Sequence, residues 1–125
     1  EYKFDSRTEQ TLSFILENDK EVIKWLRPAP NQFRIYWKHN SKIYEPDFVV
    51  ETAECIYLLE PKASNEVNSE DVQAKAHAAL KYCKYATEYT AEYGGKSWKY
   101  VLIPHDQVTK TSSFKGIVSP NIFKS

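Results

Sequence analysis

Hydrophobic positions along the chain change period several times, and each change marks an expected element. Leu12, Ile15 and Leu16 recur at the spacing of one helical face. Ser6-Arg7-Thr8-Glu9 just before them has the form of an S-x-x-E capping box, in which a hydroxyl and a carboxylate satisfy the first free amides of a helix. A first helix is therefore expected, ending at Asn18-Asp19. The apolar segment Val22 to Leu26 is too short to assign and stops at Arg27-Pro28-Ala29-Pro30, where two prolines forbid a helix. From Phe33 to His39 the chain alternates, with Phe33, Ile35 and Trp37 on one side and Arg34, Tyr36 and Lys38 on the other, the period of a half-buried strand. Asn40-Ser41 supplies a tight turn. The chain returns through Ile43 and Tyr44 to Phe48-Val49-Val50, turns between Glu51 and Glu54, and runs back through Cys55 to Leu59 as an almost unbroken apolar stretch. The expectation is a three-stranded meander whose last strand is central and buried on both faces.

Asn68 and Ser69 offer capping oxygens, Glu70 and Asp71 suit the positive end of a helix dipole, and Val72, Ala76, Leu80 and Cys83 mark one face of a long helix. That helix should end at Gly94-Gly95. Trp98 to Ile103 reads as a further strand closed by Pro104, and Thr109 to Ser125 is polar with little periodicity. The expected order is αβββαβ, an α/β fold with a mixed central sheet flanked by helices. At 125 residues the chain can bury one core, so a single domain over residues 1–108 and a polar C-terminal tail over 109–125 are expected.

No run of apolar residues is long enough to span a bilayer, and no basic, apolar leader opens the chain, which points to a cytoplasmic protein. Cys55 and Cys83 lack the paired spacing of a zinc site or disulfide framework and read as small buried hydrophobes. The chain contains no methionine and starts at Glu1, which suggests a piece of a longer polypeptide. Formal charge is zero, so no global basic excess marks a nucleic-acid binder. The distribution is uneven, however. Residues 1–71 hold nine Lys/Arg against fourteen Asp/Glu, and residues 72–125 hold eight Lys against three acids, giving −5 and +5. An acidic half suited to cations adjoins a basic half suited to phosphates.

Two short strings carry the chemistry. Pro46-Asp47 enters one predicted strand, and Glu60-Pro61-Lys62 leaves the next. Adjacent antiparallel strands bring them together, and period two puts Glu60 and Lys62 on one face. Pro61 cannot donate to a ladder, so pairing should end there and its carbonyl be free to bind a cation. Asp47, Glu60 and the Pro61 carbonyl are the hard oxygen donors magnesium prefers, with manganese able to substitute. A divalent ion at such a site polarises a phosphoryl oxygen, and the Lys62 ammonium can orient an attacking water and offset transition-state charge. The bland alternative is that Asp47 caps a turn while Glu60 and Lys62 make a surface ion pair.

In this order of elements, P-D followed by E-x-K at the end of a buried strand resembles the PD-(D/E)XK nuclease superfamily. More narrowly, the chain resembles the C-terminal endonuclease domain of the restriction subunit of type III restriction-modification enzymes. The closer likeness rests on Phe4-Asp5-Ser6 with Glu9, Val22 with Trp25, Tyr44-Glu45-Pro46-Asp47-Phe48-Val49-Val50, Tyr57-Leu58-Leu59-Glu60-Pro61-Lys62, Ala74-Lys75-Ala76 with Tyr82-Cys83, and Trp98-Lys99-Tyr100 with Ile103-Pro104. It covers residues 2 to about 106. The resemblance implies a magnesium-dependent endonuclease acting on double-stranded DNA, with an ATP-dependent translocase preceding the domain and a modification subunit as partner. It also implies a role for Glu9 at the metal site, against the capping role its spacing suggests.

Other features are less specific. Lys75, Lys81, Lys84 and Lys99 lie on or beside the predicted long helix in the basic half and are candidate phosphate contacts. Gln73 and His77 resemble a Q-x-x-x-Y element with His in place of Tyr, and a solvated helix face is the plainer reading of His77. Tyr82, Tyr85, Tyr89 and Tyr93 form a helical stripe that could stack on bases but reads first as core. Gly95-Lys96-Ser97 lacks the first glycine of a phosphate-binding loop and precedes a strand, which excludes an ATP site. His105 reads as a loop residue, with contact to DNA as the lesser alternative. The competing functions are a repair or recombination nuclease, an RNA nuclease, and a catalytically silent DNA-binding domain of the same fold.

Overall fold

The computed structural model describes residues 7–37 and 42–124. Helix α1 (Arg7–Asn18) forms where the helical apolar spacing predicted it; Ser6 of the capping box lies outside the described residues, as do His39 and the Asn40-Ser41 turn. The short apolar segment that follows supplies β1 (Lys24–Leu26), a sheet-edge strand halted by the prolines after Arg27.

The expected meander divides in two. Strands β2 (Ile35–Trp37) and β3 (Lys42–Tyr44) pair with each other as a separate two-stranded sheet, with Ile35 opposite Tyr44. Strand β4 (Phe48–Glu51) begins afresh beyond Pro46 and pairs antiparallel with β5 (Cys55–Lys62). Pro46 is the physical reason for the break. It has no N–H for a ladder and restricts Glu45 before it, so the strand started at Lys42 cannot continue into Phe48.

Ser69 caps the long helix α2 (Glu70–Ala91), its Oγ accepting from the Val72 amide at 3.2 Å. The chain then turns through Gly94 at φ 73°, a conformation that favours glycine, into β6 (Ser97–Pro104). Strand β6 lies parallel to β5, so α2 is the crossover of a β-α-β unit. The main sheet runs β1-β4-β5-β6. The protein is thus a mixed α/β fold with a mixed central sheet and flanking helices.

Both sheet faces are covered. On one, Leu12, Ile15 and Leu16 of α1 pack on Phe48, Val50, Leu59, Val101 and Ile103. On the other, Val72, Ala76, Ala79 and Cys83 of α2, together with Ile35, Trp37 and Tyr44 of the hairpin, cover Leu58, Tyr100 and Leu102. Adjacent residues Leu58 and Leu59 serve opposite cores, which is why β5 reads as an unbroken apolar run. Among the described residues no helix is long and apolar enough to cross a membrane.

Two expectations are corrected. The segment after residue 108 is not a loose polar tail. Phe114, Ile117 and Val118 of α3 (Phe114–Val118) are buried in the α1 core, and the Phe114 amide donates to Asp19 Oδ2 at 2.8 Å. Their spacing is helical, but Lys115 and Gly116 dilute it below notice. The Phe123 amide donates to the Tyr100 carbonyl at 2.8 Å, adding a further contact to β6. The tyrosine stripe is not core either. Only Tyr82 packs inward, against Phe33 and Trp98, while Tyr85, Tyr89 and Tyr93 are exposed. The sheet and hairpin bury the face of α2 that carries Val72 and Ala76, and the three tyrosines lie off that face.

A structural tail and a solvated one differ measurably. Phe114→Ala is expected to destabilise the chain by about 3–5 kcal/mol, the cost of emptying a buried aromatic site, whereas a change in a loose tail stays within about 0.5 kcal/mol. Urea denaturation of the two proteins measures the difference.

Candidate active site

Asp47 and Glu60 meet because of register. Phe48 faces Leu59 in the last rung between β4 and β5, so the next positions outward are Asp47 and Glu60. Pairing with β6 continues through Pro61 opposite Ile103 to Lys62 opposite Pro104. Pairing was expected to stop at Pro61; it stops only on the β4 side, where a residue without an N–H meets no partner strand. Glu60 and Lys62 share the α2 face of the sheet, as period two requires, and Lys62 Nζ lies 3.7 Å from Glu60 Oε2. The four residues 47, 60, 61 and 62 line one cleft of about 280 Å³, together with Glu9 and His105.

The electrostatics centre on Glu60, which is 5% exposed. Tyr44 Oη donates to its Oε1 at 2.8 Å, and Tyr100 Oη lies 3.1 Å from Tyr44 Oη. Burial, and then the negative charge of Asp47, push the Glu60 carboxyl up to about 8; the Tyr44 hydrogen bond and the charges of Lys62 and Lys75 pull the other way. Burial, followed by the charge of Glu60, also raises Tyr44 well above the usual phenol range, so it stays a proton donor.

Glu9 reaches the cleft from α1 and pairs with Arg27, Oε1 to Nη2 at 3.0 Å, both side chains largely buried. Arg27 Nε also donates to the Asp47 carbonyl at 3.4 Å, and its guanidinium lies 4.9 Å from the centre of the Phe48 ring. Arg27 therefore ties α1 to the start of β4 at the cleft wall. Sequence reading passed it over as the residue before a proline, and no local pattern reveals a partner in another element. The sequence pattern marks Tyr44 and Tyr100 only as residues of strands and motifs, with no sign that their hydroxyls meet. His105, in the short turn that follows β6, lines the cleft; Ser64 Oγ donates to Asp106 Oδ1 at 2.9 Å, stapling the segments after β5 and β6.

The candidate phosphate-binding lysines do not converge. Lys75 is close enough to influence Glu60, with its ammonium 5.4 Å from the centre of the Trp37 ring. Lys81 lies over Tyr85 and Lys84 is exposed, ~9 Å and ~14 Å farther along the helix axis than Lys75. Lys99 was expected beside the long helix, but it pairs in register with Tyr57 and shares the parity of Val101 and Ile103, on the opposite sheet face. Gln73 Nε2 donates to the Val67 carbonyl at 2.8 Å and so braces the loop before α2, while His77 is exposed with its ring edge-on to Phe123.

Among the described residues no group of three or more His, Cys, Asp or Glu side chains forms a metal cage. The cleft is lined by the carboxylates of Glu9, Asp47, Glu60 and Glu66, the His105 imidazole and the backbone at Pro61, and of these Asp47 and Glu60 meet at the strand ends. Two carboxylates fit magnesium, which keeps several waters and uses few protein ligands. The repulsion between Asp47 and Glu60 is the kind a cation relieves. Comparison with protein-family models, with curated proteins and with solved structures finds no match to the chain.

The raised Glu60 pKa has a signed consequence. In the unfolded chain this carboxyl ionises near its usual value of about 4.3, so the folded state holds the proton more tightly. Its stabilising contribution is full below about pH 4 and is lost as pH rises through about 8. Without divalent ions, Glu60→Gln should be more stable than wild type by a few kcal/mol at about pH 9, the gap narrowing toward about pH 4.5. Thermal melts of both proteins across that range test it; a gap independent of pH would refute the assignment.

Proposed function

We propose that this chain is a magnesium-dependent nuclease domain of the PD-(D/E)XK type that hydrolyses DNA phosphodiesters, serving as the cleavage module of a type III restriction-modification enzyme. One observation carries the reading: Asp47 and Glu60 stand opposite each other where β4 and β5 part, and Lys62 lies 3.7 Å from Glu60 in the same cleft. The motif resemblance narrows the class from phosphoryl hydrolase to restriction nuclease.

Asp47 and Glu60, with the Pro61 carbonyl, would hold magnesium, which supplies Lewis acidity toward a phosphoryl oxygen. Lys62 orients the attacking water and offsets the negative charge that grows as the water oxygen bonds to phosphorus. The P–O bond to the leaving oxygen then breaks, that oxygen takes up a proton, and the attacking water gives one up. Glu9 stands at the cleft wall with its carboxylate paired to Arg27, so its role on this reading is to hold that cation beside Asp47 as well as to add negative charge to the site. Lys75 is the lysine best placed to meet substrate phosphate; with zero net charge and few converging cations, the domain on its own should bind duplex DNA weakly and with steep salt dependence. Delivery by a translocase domain and a modification subunit would supply what the isolated surface lacks.

In an assembly that includes the translocase domain and modification subunit, Asp47→Asn, Glu60→Gln and Lys62→Met should each lower magnesium-dependent nicking of supercoiled plasmid by about 10²-fold or more while the protein stays folded. Manganese should raise the melting temperature of the wild-type chain in proportion to the logarithm of its concentration above Kd, and the two carboxylate variants should lose that rise. Nicking by folded Glu60→Gln at the wild-type rate would overturn the proposal.

A further inference from the structure

The two oxygens of Glu60 have different surroundings: one faces a residue of the catalytic trio and the other a residue outside it. Oε1 accepts from Tyr44 Oη at 2.8 Å, on the inner side of the carboxylate, and Oε2 faces Lys62 Nζ at 3.7 Å. One phenolic proton cannot serve two neighbours. When Glu60 is ionised, as it must be to hold a cation, its carboxylate is the stronger acceptor and takes the proton of Tyr44, so the 3.1 Å contact between the two hydroxyls is then made with the proton of Tyr100. The rings are fixed as well: Tyr44 is 6% and Tyr100 1% exposed, and they pack edge to face with centroids 6.2 Å apart. Tyr44 sits at the end of the hairpin strand β3, Tyr100 in the sheet-edge strand β6, and Glu60 at the end of the central strand β5. Tyr44 from β3 thus contacts this oxygen directly, and Tyr100 from β6 backs it through the hydroxyl contact.

We propose that Tyr44, backed by Tyr100, is a positioning residue that reserves Glu60 Oε1 and leaves Oε2 as the single oxygen Glu60 offers to a cation, so selecting magnesium-like ions over calcium. The proposal rests on the metal-dependent reading above. The chemistry behind the selection is general. Calcium accepts six to eight oxygens and commonly takes both oxygens of one carboxylate, whereas magnesium demands a compact octahedron and takes one. A carboxylate locked by a buried phenol cannot turn to present both oxygens. Partners of this kind, one bond removed from the ion, typically change metal affinity by about 10–100-fold.

The test is calorimetric titration of manganese and of calcium, separately, into the wild-type chain, Tyr44→Phe, Tyr100→Phe and Glu60→Gln, with circular dichroism melts to confirm folding. Phenylalanine keeps the ring packing, and Tyr100→Phe provides a second route to the same loosening. Wild type should bind manganese more tightly than calcium. Tyr44→Phe should weaken manganese by about 10-fold or more and narrow the manganese-to-calcium ratio, with Tyr100→Phe moving the ratio the same way by less. A general loss of stability would not move that ratio. If wild type binds manganese, Glu60→Gln abolishes binding, and Tyr44→Phe keeps the wild-type ratio, the positioning role is overturned and the metal reading stands. If wild type takes up neither ion, both are overturned.

Discussion

Burying a carboxylate at the end of a central strand imposes a constraint that much of this fold answers. Glu60 lies where β5, covered on both faces by helices and hairpin, runs out toward solvent, and it is buried almost as fully as the leucine before it. An unpartnered ionised group there would cost several kcal/mol, far more than a surface ion pair returns. The surrounding elements answer with a phenol from β3, an ammonium two residues on in β5, and a second ammonium from α2. The detached hairpin has one of its reasons here. By leaving the main sheet, β3 comes over the α2 face and sets Tyr44 above Glu60, a position a continuous meander would not supply.

The pattern of apolar residues made the broad frame legible. The first helix, the long helix with its Ser69 cap, the buried central strand and the closing strand at Trp98 to Ile103 each follow from local periodicity, because each element buries a stripe whose spacing is fixed by backbone geometry. The proximity of Asp47 to Glu60 was legible for the same reason, since a short turn between two antiparallel strands leaves little freedom of register. The split of the meander at Pro46 was readable in principle, since prolines end segments elsewhere in the chain, at Pro28 and Pro104. The structural role of Phe114, Ile117 and Val118 was harder, since three apolar residues in a polar stretch commit to a helix only when a core waits to receive them.

Partnerships across the chain were not legible. Arg27 meets Glu9 and the Asp47 carbonyl, Tyr44 meets Tyr100, and Ser64 meets Asp106, and in each case the partner belongs to a different element. Nothing in a local window distinguishes Arg27 from any arginine before a proline. Lys99 illustrates the converse error. Nearness in sequence to the long helix suggested a shared surface, but period two in β6 puts Lys99 with Val101 and away from α2.

Charge around the cleft is closely balanced, and that balance bears on how a site of this kind survives in a small domain. Glu9 stands with Arg27, Glu60 with Lys62 and more distantly with Lys75, while Asp47 raises the cost of ionising Glu60. Replacing such pairs with apolar residues of similar volume is often neutral or stabilising, so stability alone does not account for them. What the arrangement does provide is a folded state that tolerates a mutually repelling carboxylate pair. The proton on Glu60 is part of that tolerance, since it removes one of the two negative charges at neutral pH. On the proposed reading, a divalent ion entering between Asp47 and Glu60 competes with the proton on Glu60, so its affinity rises with pH. The same buried environment that makes Glu60 costly to ionise makes its charge effective once a cation is present, because little water remains to screen it. On the proposed reading, the strand-end burial that strains the unliganded domain is also the source of the site's strength.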